Sequence, residues 1–444
     1  MWRPPEFVVA LALLGRCGVA RAADAPTDPL RAEAARRHDT LVKDGFNLTH
    51  GFSFGGAGKN GIRVELVVPP SDGEHAIQIW AEALSGEVAV RFVAPDGKPL
   101  IVWSARSGET SLMRTLPAGQ YVLEIDTSGS ARARALLGVK GPVISRCPIE
   151  AARLTEHPAD PSQGFHWPYL LYVPDKVHAP RLLVAPNNTG FATDDLPFLR
   201  ASGLCEIAQR LGMADRLGVP LLVPLFPRPA VPSEAENLYL HALTRASLTT
   251  QVPAFRRVDL QLVAMMGDAR NGLAHAGIAV SSRVLLTGFS AAGSFVNRFA
   301  LLHPEQVLAV ASGSPGGWPT APVAEAAGEA LTWPVGIADV EALTGKALDL
   351  RSLKKVAWFF FLGDQDRNDA VPFRDSFSKS QESIIFRLFG TEPVPRWKEA
   401  ERLYKAPGLD ARFRLYPGVG HVTTPEMDSE VQTFLIEAMK KTMN

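Results

Sequence analysis

The sequence predicts an α/β fold built on a mostly parallel sheet, preceded by a small antiparallel β-sandwich. Three observations predict it. Residues 51–145 contain short alternating runs separated by turn signals, whereas in residues 146–444 longer apolar runs alternate with helical stretches. A serine in a loop of small residues directly follows one of those apolar runs. The 444 residues also exceed an ordinary single domain, so we expect two folded domains.

The N-terminus predicts export. Residues 1–22 contain an apolar run at 7–14 and end in the A-x-A pattern of Ala20 and Ala22, which is typical of a secretory signal peptide. A plain N-terminal tail is the alternative, because Arg16 interrupts the apolar region early. Residues 23–50 are expected to form a linker or helix. We therefore expect a secreted or periplasmic protein that has no membrane span.

The mature chain would retain two cysteines, Cys147 and Cys205. They form either one disulfide or two free thiols, because a sequence does not give the distance between their Cα atoms. Lysine plus arginine and aspartate plus glutamate both number 46, so the formal net charge is zero. This balance provides no attraction for nucleic acid or an anionic membrane, and it favours a small molecule or a neutral polymer as partner.

The β-sandwich is predicted from period-2 alternation in four runs and from the turns between them. The runs are residues 62–66, 76–80, 88–93 and 121–125, with turns at residues 96–97 and 117–119. Residues 93–97 and 116–121 resemble modules of the pre-peptidase C-terminal type, which are appended to secreted hydrolases.

In residues 146–444, near-continuous apolar runs indicate the strands of a parallel sheet that is covered on both faces. These runs are residues 182–185, 221–225, 284–287, 307–310, 356–362 and 413–416. Two insertions, residues 318–353 and 377–410, are expected to cap a pocket. Their tryptophans, Trp318, Trp333 and Trp397, are expected to pack inside the protein, with a substrate-binding surface as the alternative.

The serine loop reads TGFSAAGS at residues 287–294. Small residues on both sides of Ser290 suit a nucleophile elbow, in which a strand turns sharply into a helix. The usual pattern is G-x-S-x-G, and here Gly288 provides the first glycine, Ala292 replaces the second, and Gly293 follows. The alternative is an idle serine in a turn of small residues.

A serine nucleophile needs a histidine base and a carboxylate that orients the base. Three aspartates follow the run at 356–362: Asp366 is the predicted acid, with Asp369 as the first alternative and Asp364 as the second. His421 stands in a glycine-flanked loop after the last apolar run and is the predicted base.

The intermediate of such a reaction needs two N–H donors for its oxyanion. Ala291, directly after the serine, is expected to supply one of them. The loop at residues 186–190 is expected to supply the other, through Thr189, Gly190 or an asparagine side chain. Neither histidines nor cysteines cluster at the spacing of a metal site, so we expect no metal and no cofactor.

The order Ser290, Asp366, His421 along the chain is that of the α/β-hydrolase triad. The segments 288–293, 303–305, 363–366, 371–372 and 420–421 resemble this superfamily, in particular its secreted esterase and depolymerase branch. That branch includes polyhydroxybutyrate depolymerase-like and feruloyl esterase-like enzymes. The resemblance extends from residue 165 to the C-terminus and implies an α/β-hydrolase three-layer sandwich, the triad and no cofactor.

We therefore expect a secreted serine hydrolase that cleaves carboxylic esters through an acyl-enzyme. A serine peptidase of the same fold is one alternative, although its prolyl-peptidase relatives carry a larger N-terminal propeller. A binding protein that uses the fold without turnover is the other alternative.

Export is tested by expressing the full chain in a bacterial host and sequencing the N-terminus of the exported protein. We expect cleavage after Ala22, because signal peptidase recognises the small residues at positions 20 and 22. Ala20→Asp should block cleavage, and the control Arg21→Ala should not. An uncleaved wild-type chain that stays in the cytoplasm would contradict the expectation.

Overall fold

The computed structural model describes residues 47–54, 60–68, 75–127, 132–140, 144–146, 153–187, 196–227, 229, 238–366, 368–372, 376–421 and 423–441. These residues form two compact units, one before residue 148 and one after it. The expected signal peptide, Cys147 and the side chain of Cys205 lie outside the described residues. Cleavage of the leader and pairing of the thiols therefore stay predictions.

The described residues of the N-terminal unit form two antiparallel sheets. Their strands are β1 (Asn47–Phe54), β2 (Asn60–Val68), β3 (Ala76–Ser85), β4 (Val88–Val93), β5 (Pro99–Ala105), β6 (Gly108–Thr115), β7 (Gly119–Thr127), β8 (Arg132–Lys140) and β9 (Ile144–Arg146). One sheet has the order β1-β8-β3-β6 and the other β5-β4-β7-β2-β9. β1 lies partly in the segment 23–50 that was expected to be a linker or helix, because its backbone pairs with β8 from Asn47 onward.

Alternation along these strands directs one face of each sheet into a shared core. On β4, Val90 and Phe92 are buried, whereas Arg91 between them points to the opposite face and is exposed. Ile77 and Ile79 of β3 belong to the same apolar cluster as the buried residues of β4. Because β3 and β4 lie in different sheets, this cluster is the interior of a β-sandwich, as the period-2 pattern predicts.

The C-terminal unit is built on an eight-stranded sheet. Its strands are β10 (Leu154–His157), β11 (Tyr169–Tyr172), β12 (Leu183–Val184), β13 (Leu221–Pro224), β14 (Val284–Phe289), β15 (Val307–Gly313), β18 (Ala357–Gly363) and β19 (Asp410–Tyr416); β16 (Glu325–Ala326) and β17 (Glu329–Ala330) form a separate hairpin. The sheet order is β10-β11-β13-β12-β14-β15-β18-β19. The pairs β10-β11 and β11-β13 are antiparallel, and the remaining pairs are parallel. This is the sheet of the α/β-hydrolase fold.

Helices cover both faces of this sheet. They are α1 (Leu196–Leu217), α2 (Arg245–Thr249), α3 (Val258–His275), α4 (Ala291–Leu302), α5 (Val340–Thr344), α6 (Leu350–Leu353), α7 (Lys379–Phe389), α8 (Pro393–Lys405) and α9 (Pro425–Lys441). Apolar residues of α3, α4 and α8 form one cluster with the sheet, and those of α1 and α9 form another. On β18, Trp358 and Phe360 belong to the first cluster and Phe359 and Phe361 to the second. The strand is therefore buried on both faces, which explains its continuous apolar run.

The tryptophans of the two insertions are packing residues. Trp318 and Trp333 have 0% of their surface exposed, and Trp397 has 4%. The indole N–H groups of Trp318 and Trp333 donate to the backbone carbonyls of Val335 and Leu243. Trp333 and Trp397 belong to the apolar cluster that covers one face of the sheet, whereas Trp318 belongs to a separate cluster formed mostly by residues of the insertions themselves. The expected capping of a pocket stays a prediction.

A buried ionic cluster connects the start of α3 to the end of α4. The carboxylate of Asp259 is fully buried and accepts from Arg257 through Nε at 2.9 Å and Nη2 at 2.8 Å, and it lies 2.8 Å from Nε2 of His303. Burial acts to raise the pKa of Asp259, but the hydrogen bonds and charges of His303 and Arg257 outweigh it and lower the pKa to about 2. A depressed carboxylate pKa stabilises the folded state above the unfolded value near 3.8, and this contribution is lost as the pH falls toward 2.

The substitution Asp259→Asn tests this cluster. We expect the free energy of unfolding at neutral pH to fall by about 3–5 kcal/mol, because the half-buried Arg257 and the buried His303 lose their carboxylate partner. Between pH 4 and pH 2, the range set by the shift from 3.8 to about 2, the variant should lose less stability than wild type. Urea denaturation followed by tryptophan fluorescence measures both effects.

Asp410→Asn is the control, because the carboxylate of Asp410 is half exposed where it pairs with Lys441 and should contribute less than about 1 kcal/mol. Equal losses of stability in the two variants would contradict a special role of the buried cluster.

Candidate functional site

Ser290 occupies a strained turn between β14 and α4. Its backbone has φ 62° and ψ −126°, a region that residues other than glycine rarely adopt. Its N–H donates to the carbonyl of Gly313 on β15 at 2.9 Å, and its carbonyl accepts from Ser294 at 3.0 Å. Ser290 directly precedes the helix, but its side chain makes no capping hydrogen bond to it. The hydroxyl is therefore not engaged by the first turn of α4. Hydrogen bonds to the neighbouring strand and to the helix therefore keep Ser290 in the strained backbone conformation that a nucleophile elbow requires.

Two glycines allow the strand and helix to approach this closely. A Cβ atom on Gly288 would lie 2.4 Å from the carbonyl oxygen of Ala292, and one on Gly293 would lie 2.3 Å from that of Gly313. Both distances are far below van der Waals contact, so both positions require glycine. Ala292, which replaces the usual second glycine, is accommodated as a buried residue.

A continuous chain of hydrogen bonds connects Ser290, His421 and Asp366. Oγ of Ser290 lies 3.0 Å from Nε2 of His421, and Nδ1 of His421 lies 2.8 Å from Oδ2 of Asp366. Asp366 is 1% exposed, and the side chain of His421 is 11% exposed. When the proton on Nδ1 is donated in the hydrogen bond to Asp366, Nε2 is the acceptor that faces the serine hydroxyl.

Asp366 is held as a buried, ionised carboxylate. Besides His421, it accepts from the hydroxyl of Ser314 at 2.7 Å and from the backbone N–H of Asn368 at 2.8 Å. Burial acts to raise the pKa of Asp366, but the charge of His421 and the three hydrogen bonds outweigh it, so the pKa lies below its ordinary value. The carboxylate therefore remains charged beside the imidazole at neutral pH.

The other two aspartates of this loop have different partners. Asp369 forms a buried ion pair with Arg396 of α8, whose side chain is 0% exposed. Asp364 accepts from the backbone N–H of Gly418 at 2.7 Å. The structure thus brings Asp366 to the histidine, and it brings neither alternative acid there.

Backbone contacts between two loops set the distance from acid to histidine. A Cβ atom on Gly363, the last residue of β18, would lie 2.1 Å from the carbonyl oxygen of Val419. The N–H of Gln365 donates to the same carbonyl at 2.9 Å, and that of Asp364 donates to Tyr416 at 3.0 Å. The loops after β18 and β19 are therefore joined just before Asp366 and His421 emerge from them.

The predicted oxyanion donors are described in part. Ala291 is the first residue of α4, where helix N–H groups have no intrahelical acceptor. Thr189 and Gly190 lie outside the described residues, so their role stays a prediction. Asn187 is buried, and its side chain donates to the carbonyl and accepts from the N–H of Phe226. Its amide therefore anchors the loop instead of facing the serine.

Sequence reasoning missed two residues of the site, Ser314 and Asn368. Ser314 directly follows β15, at the same sheet edge as the other loops, and this position was a signal that could have identified it. Asn368 lies two residues after the acid, where its amide nitrogen is 2.9 Å from Nε2 of His421. No sequence pattern indicates that contact.

The described residues lack two features, a metal-binding cluster and a membrane-spanning helix. Within the ranges given above, no group of three or more histidine, cysteine, aspartate or glutamate side chains is arranged to hold a metal ion. In the same part of the chain, no helix combines the length and apolar character that a membrane crossing requires.

Comparisons with known proteins returned structures alone. No family model and no curated protein match the chain. Poly(aspartic acid) hydrolase-1 from Sphingomonas sp. KT-1 is 16% identical over 60% of this chain and 92% of its own, with a TM-score of 0.40. The poly(3-hydroxybutyrate) depolymerase from Bordetella parapertussis is 22% identical over 64% and 88%, with a TM-score of 0.41. An S-formylglutathione hydrolase from Agrobacterium tumefaciens is 14% identical over 65% and 94%, with a TM-score of 0.37. At these values the fold assignment rests on the sheet order.

Substituting Gly293 tests the steric account of the elbow. We expect Gly293→Ala to lower the free energy of unfolding and to displace Ser290, because the new methyl group would meet the backbone of Gly313 at 2.3 Å. Gly272→Ala on α3 is the matched control: its Cβ would meet nothing within 4 Å, so helix propensity should stabilise the protein by about 0.5–1 kcal/mol. Thermal unfolding of both variants measures the difference, and equal stability of Gly293→Ala and wild type would refute the account.

Proposed function

We propose that this protein is a serine hydrolase that cleaves carboxylic esters. The observation that supports the proposal is the hydrogen-bonded chain from Ser290 through His421 to Asp366, at 3.0 Å and 2.8 Å. A serine hydroxyl becomes a nucleophile when a base accepts its proton, and here the base is held in the required tautomer by a buried carboxylate.

In the first half of the proposed reaction, Oγ of Ser290 attacks the acyl carbon while its proton moves to Nε2 of His421. The N–H of Ala291 and a donor from the loop at 188–190 stabilise the oxyanion of the tetrahedral intermediate. The imidazolium, stabilised by Asp366, then protonates the departing alcohol oxygen as the bond from carbon to that oxygen breaks. The products of this half are the free alcohol and the acylated serine.

In the second half, water replaces the alcohol. His421 takes a proton from water as the hydroxyl oxygen attacks the acyl carbon, and the same donors stabilise the second oxyanion. Collapse of this intermediate breaks the bond to Oγ, and His421 returns the proton to Ser290. The carboxylic acid leaves, and the resting enzyme is restored without a cofactor.

Esters are proposed over peptides because of the N-terminal unit. Its strands form the two antiparallel sheets of a sandwich, whereas prolyl peptidases of this fold carry a larger propeller. We also propose that the enzyme acts outside the cytoplasm and that its substrate is a small or polymeric ester.

Initial rates on p-nitrophenyl esters of increasing acyl length, beside matched aminoacyl p-nitroanilides, test the function. We expect ester turnover that disappears in Ser290→Ala, because no other group would carry the acyl chain. Turnover of anilides alone would favour the peptidase. No turnover of either series by a folded protein would favour a binding protein that uses this fold.

Replacing each of the two buried aspartates, Asp366 and Asp369, with asparagine tests which of them is the acid. Asp366→Asn should lower kcat on the order of 10⁴-fold, because the amide no longer fixes the tautomer of His421. Asp369→Asn should lower the free energy of unfolding by about 3–5 kcal/mol by leaving Arg396 buried and unpaired, with kcat of the folded protein within about tenfold of wild type. The opposite pattern of kcat losses would assign the acid to Asp369.

A further inference from the structure

Asn368 contacts both members of the acid–base pair. Its backbone N–H donates to Oδ1 of Asp366 at 2.8 Å, and its side-chain nitrogen lies 2.9 Å from Nε2 of His421. The residue is half-buried, at the point where the loop after β18 passes the histidine. The contact with the carboxylate is an ordinary turn, but the contact with the imidazole involves the nitrogen that must accept the serine proton.

Two donors compete for that nitrogen. When Nδ1–H of His421 donates to Asp366, Nε2 has a single lone pair. The hydroxyl of Ser290 lies 3.0 Å from it and the amide of Asn368 lies 2.9 Å from it. A hydrogen bond to the neutral form of a base disfavours its protonation. The ring of Phe289, whose centroid is 4.9 Å from that of the imidazole, carries no charge.

The charged groups near the imidazole either favour its protonated form, opposite to the effect of Asn368, or are bonded to other partners. Asp366, bonded to Nδ1, favours the protonated form of His421. Asp364 and the ion pair of Asp369 with Arg396 belong to the same loop region and are engaged elsewhere. Among the charged and polar groups of the described residues, Asn368 and the Ser290 hydroxyl are thus the neutral donors at Nε2. Of these two, Asn368 is not the group that gives up its proton in the proposed reaction.

We propose that Asn368 is a further catalytic residue, whose side-chain amide donates to Nε2 of His421 and holds the imidazole in its neutral form until substrate arrives. The proposal rests on the proposed serine hydrolase function. Before substrate arrives, the amide of Asn368 occupies the lone pair of Nε2 and excludes solvent protons from it. Because Nε2 has a single lone pair, the amide must leave it when the serine proton is transferred to His421. The residue therefore sets the acidic limit of activity.

The dependence of kcat/KM on pH, measured with p-nitrophenyl acetate, tests this role. In Asn368→Ala we expect the acidic limb to move to higher pH by about half a unit to one unit, the shift that corresponds to one net hydrogen bond. Asn368→Asp should move it further, because a carboxylate beside Nε2 favours the imidazolium. Asn271→Ala, an identical change at an exposed position of α3, should leave the profile unchanged. The rate at which phenylmethylsulfonyl fluoride sulfonylates Ser290 should show the same dependence on pH in each variant.

Two results would overturn the proposal: an acidic limb that Asn368→Ala leaves in place, or one that it moves to lower pH. If the alanine variant does not fold, Asn368→Ser replaces it, since its short hydroxyl does not reach the imidazole. A wild-type protein that shows neither turnover nor sulfonylation would refute the serine hydrolase function itself. NMR titration of the His421 ring in wild type and Asn368→Ala then decides the contact separately: a higher pKa in the variant supports it, and an equal or lower pKa overturns it.

Discussion

The site depends on the close approach of the loops that follow β18 and β19. The missing side chain of Gly363 leaves room for the carbonyl of Val419, and Gln365 donates to that same oxygen at 2.9 Å. Asp366 and His421 lie one and two residues beyond these contacts. The distance between them is therefore determined mainly by the backbone and less by the rotamers of the two side chains. A larger residue at position 363 would separate the loops and break the hydrogen-bonded chain at its acidic end.

Buried carboxylates in this protein have two kinds of partner. Asp259 and Asp369 have arginine partners, which remain charged at every accessible pH. Asp366 has neutral donors, the Ser314 hydroxyl and the Asn368 backbone N–H, together with a histidine. Neutral donors keep the carboxylate ionised without cancelling its charge. The negative charge thus remains effective toward the imidazole, which explains in physical terms why an arginine-paired aspartate is unsuited to the same position.

Much of the fold follows from local patterns. The central strands are buried on both faces, and β18 directs alternate aromatic residues into two clusters, so its sequence is apolar throughout. The serine, acid and histidine were identifiable because each follows such a run at the carboxyl end of a strand. β1 was missed because its sequence, NLTHGFSF, alternates weakly and becomes a strand by pairing with β8.

The remaining parts of the site depend on tertiary contacts. Arg396 lies 27 residues after Asp369 and on another element, so no spacing rule connects them. The requirement for glycine at position 293 arises from the carbonyl of Gly313 on a neighbouring strand. The contact from Asn368 to His421 joins two loops 53 residues apart in the chain. Such pairings become visible when the backbone is in place.

The two ends of α4 are constrained in different ways. At one end, Ser290 has a strained backbone. Gly288 and Gly293 allow the strand and helix to approach closely there, and a carbonyl of β15 accepts from the Ser290 N–H. At the other end, His303 joins a buried ionic cluster with Asp259. Under the proposed function, the strained turn presents Oγ of Ser290 for reaction, so substitutions that relax it would gain stability and lose activity. Changes at the His303 end would disturb the buried cluster with Asp259 and lower stability instead. An engineer seeking a more heat-resistant protein should therefore leave both ends of this helix unchanged.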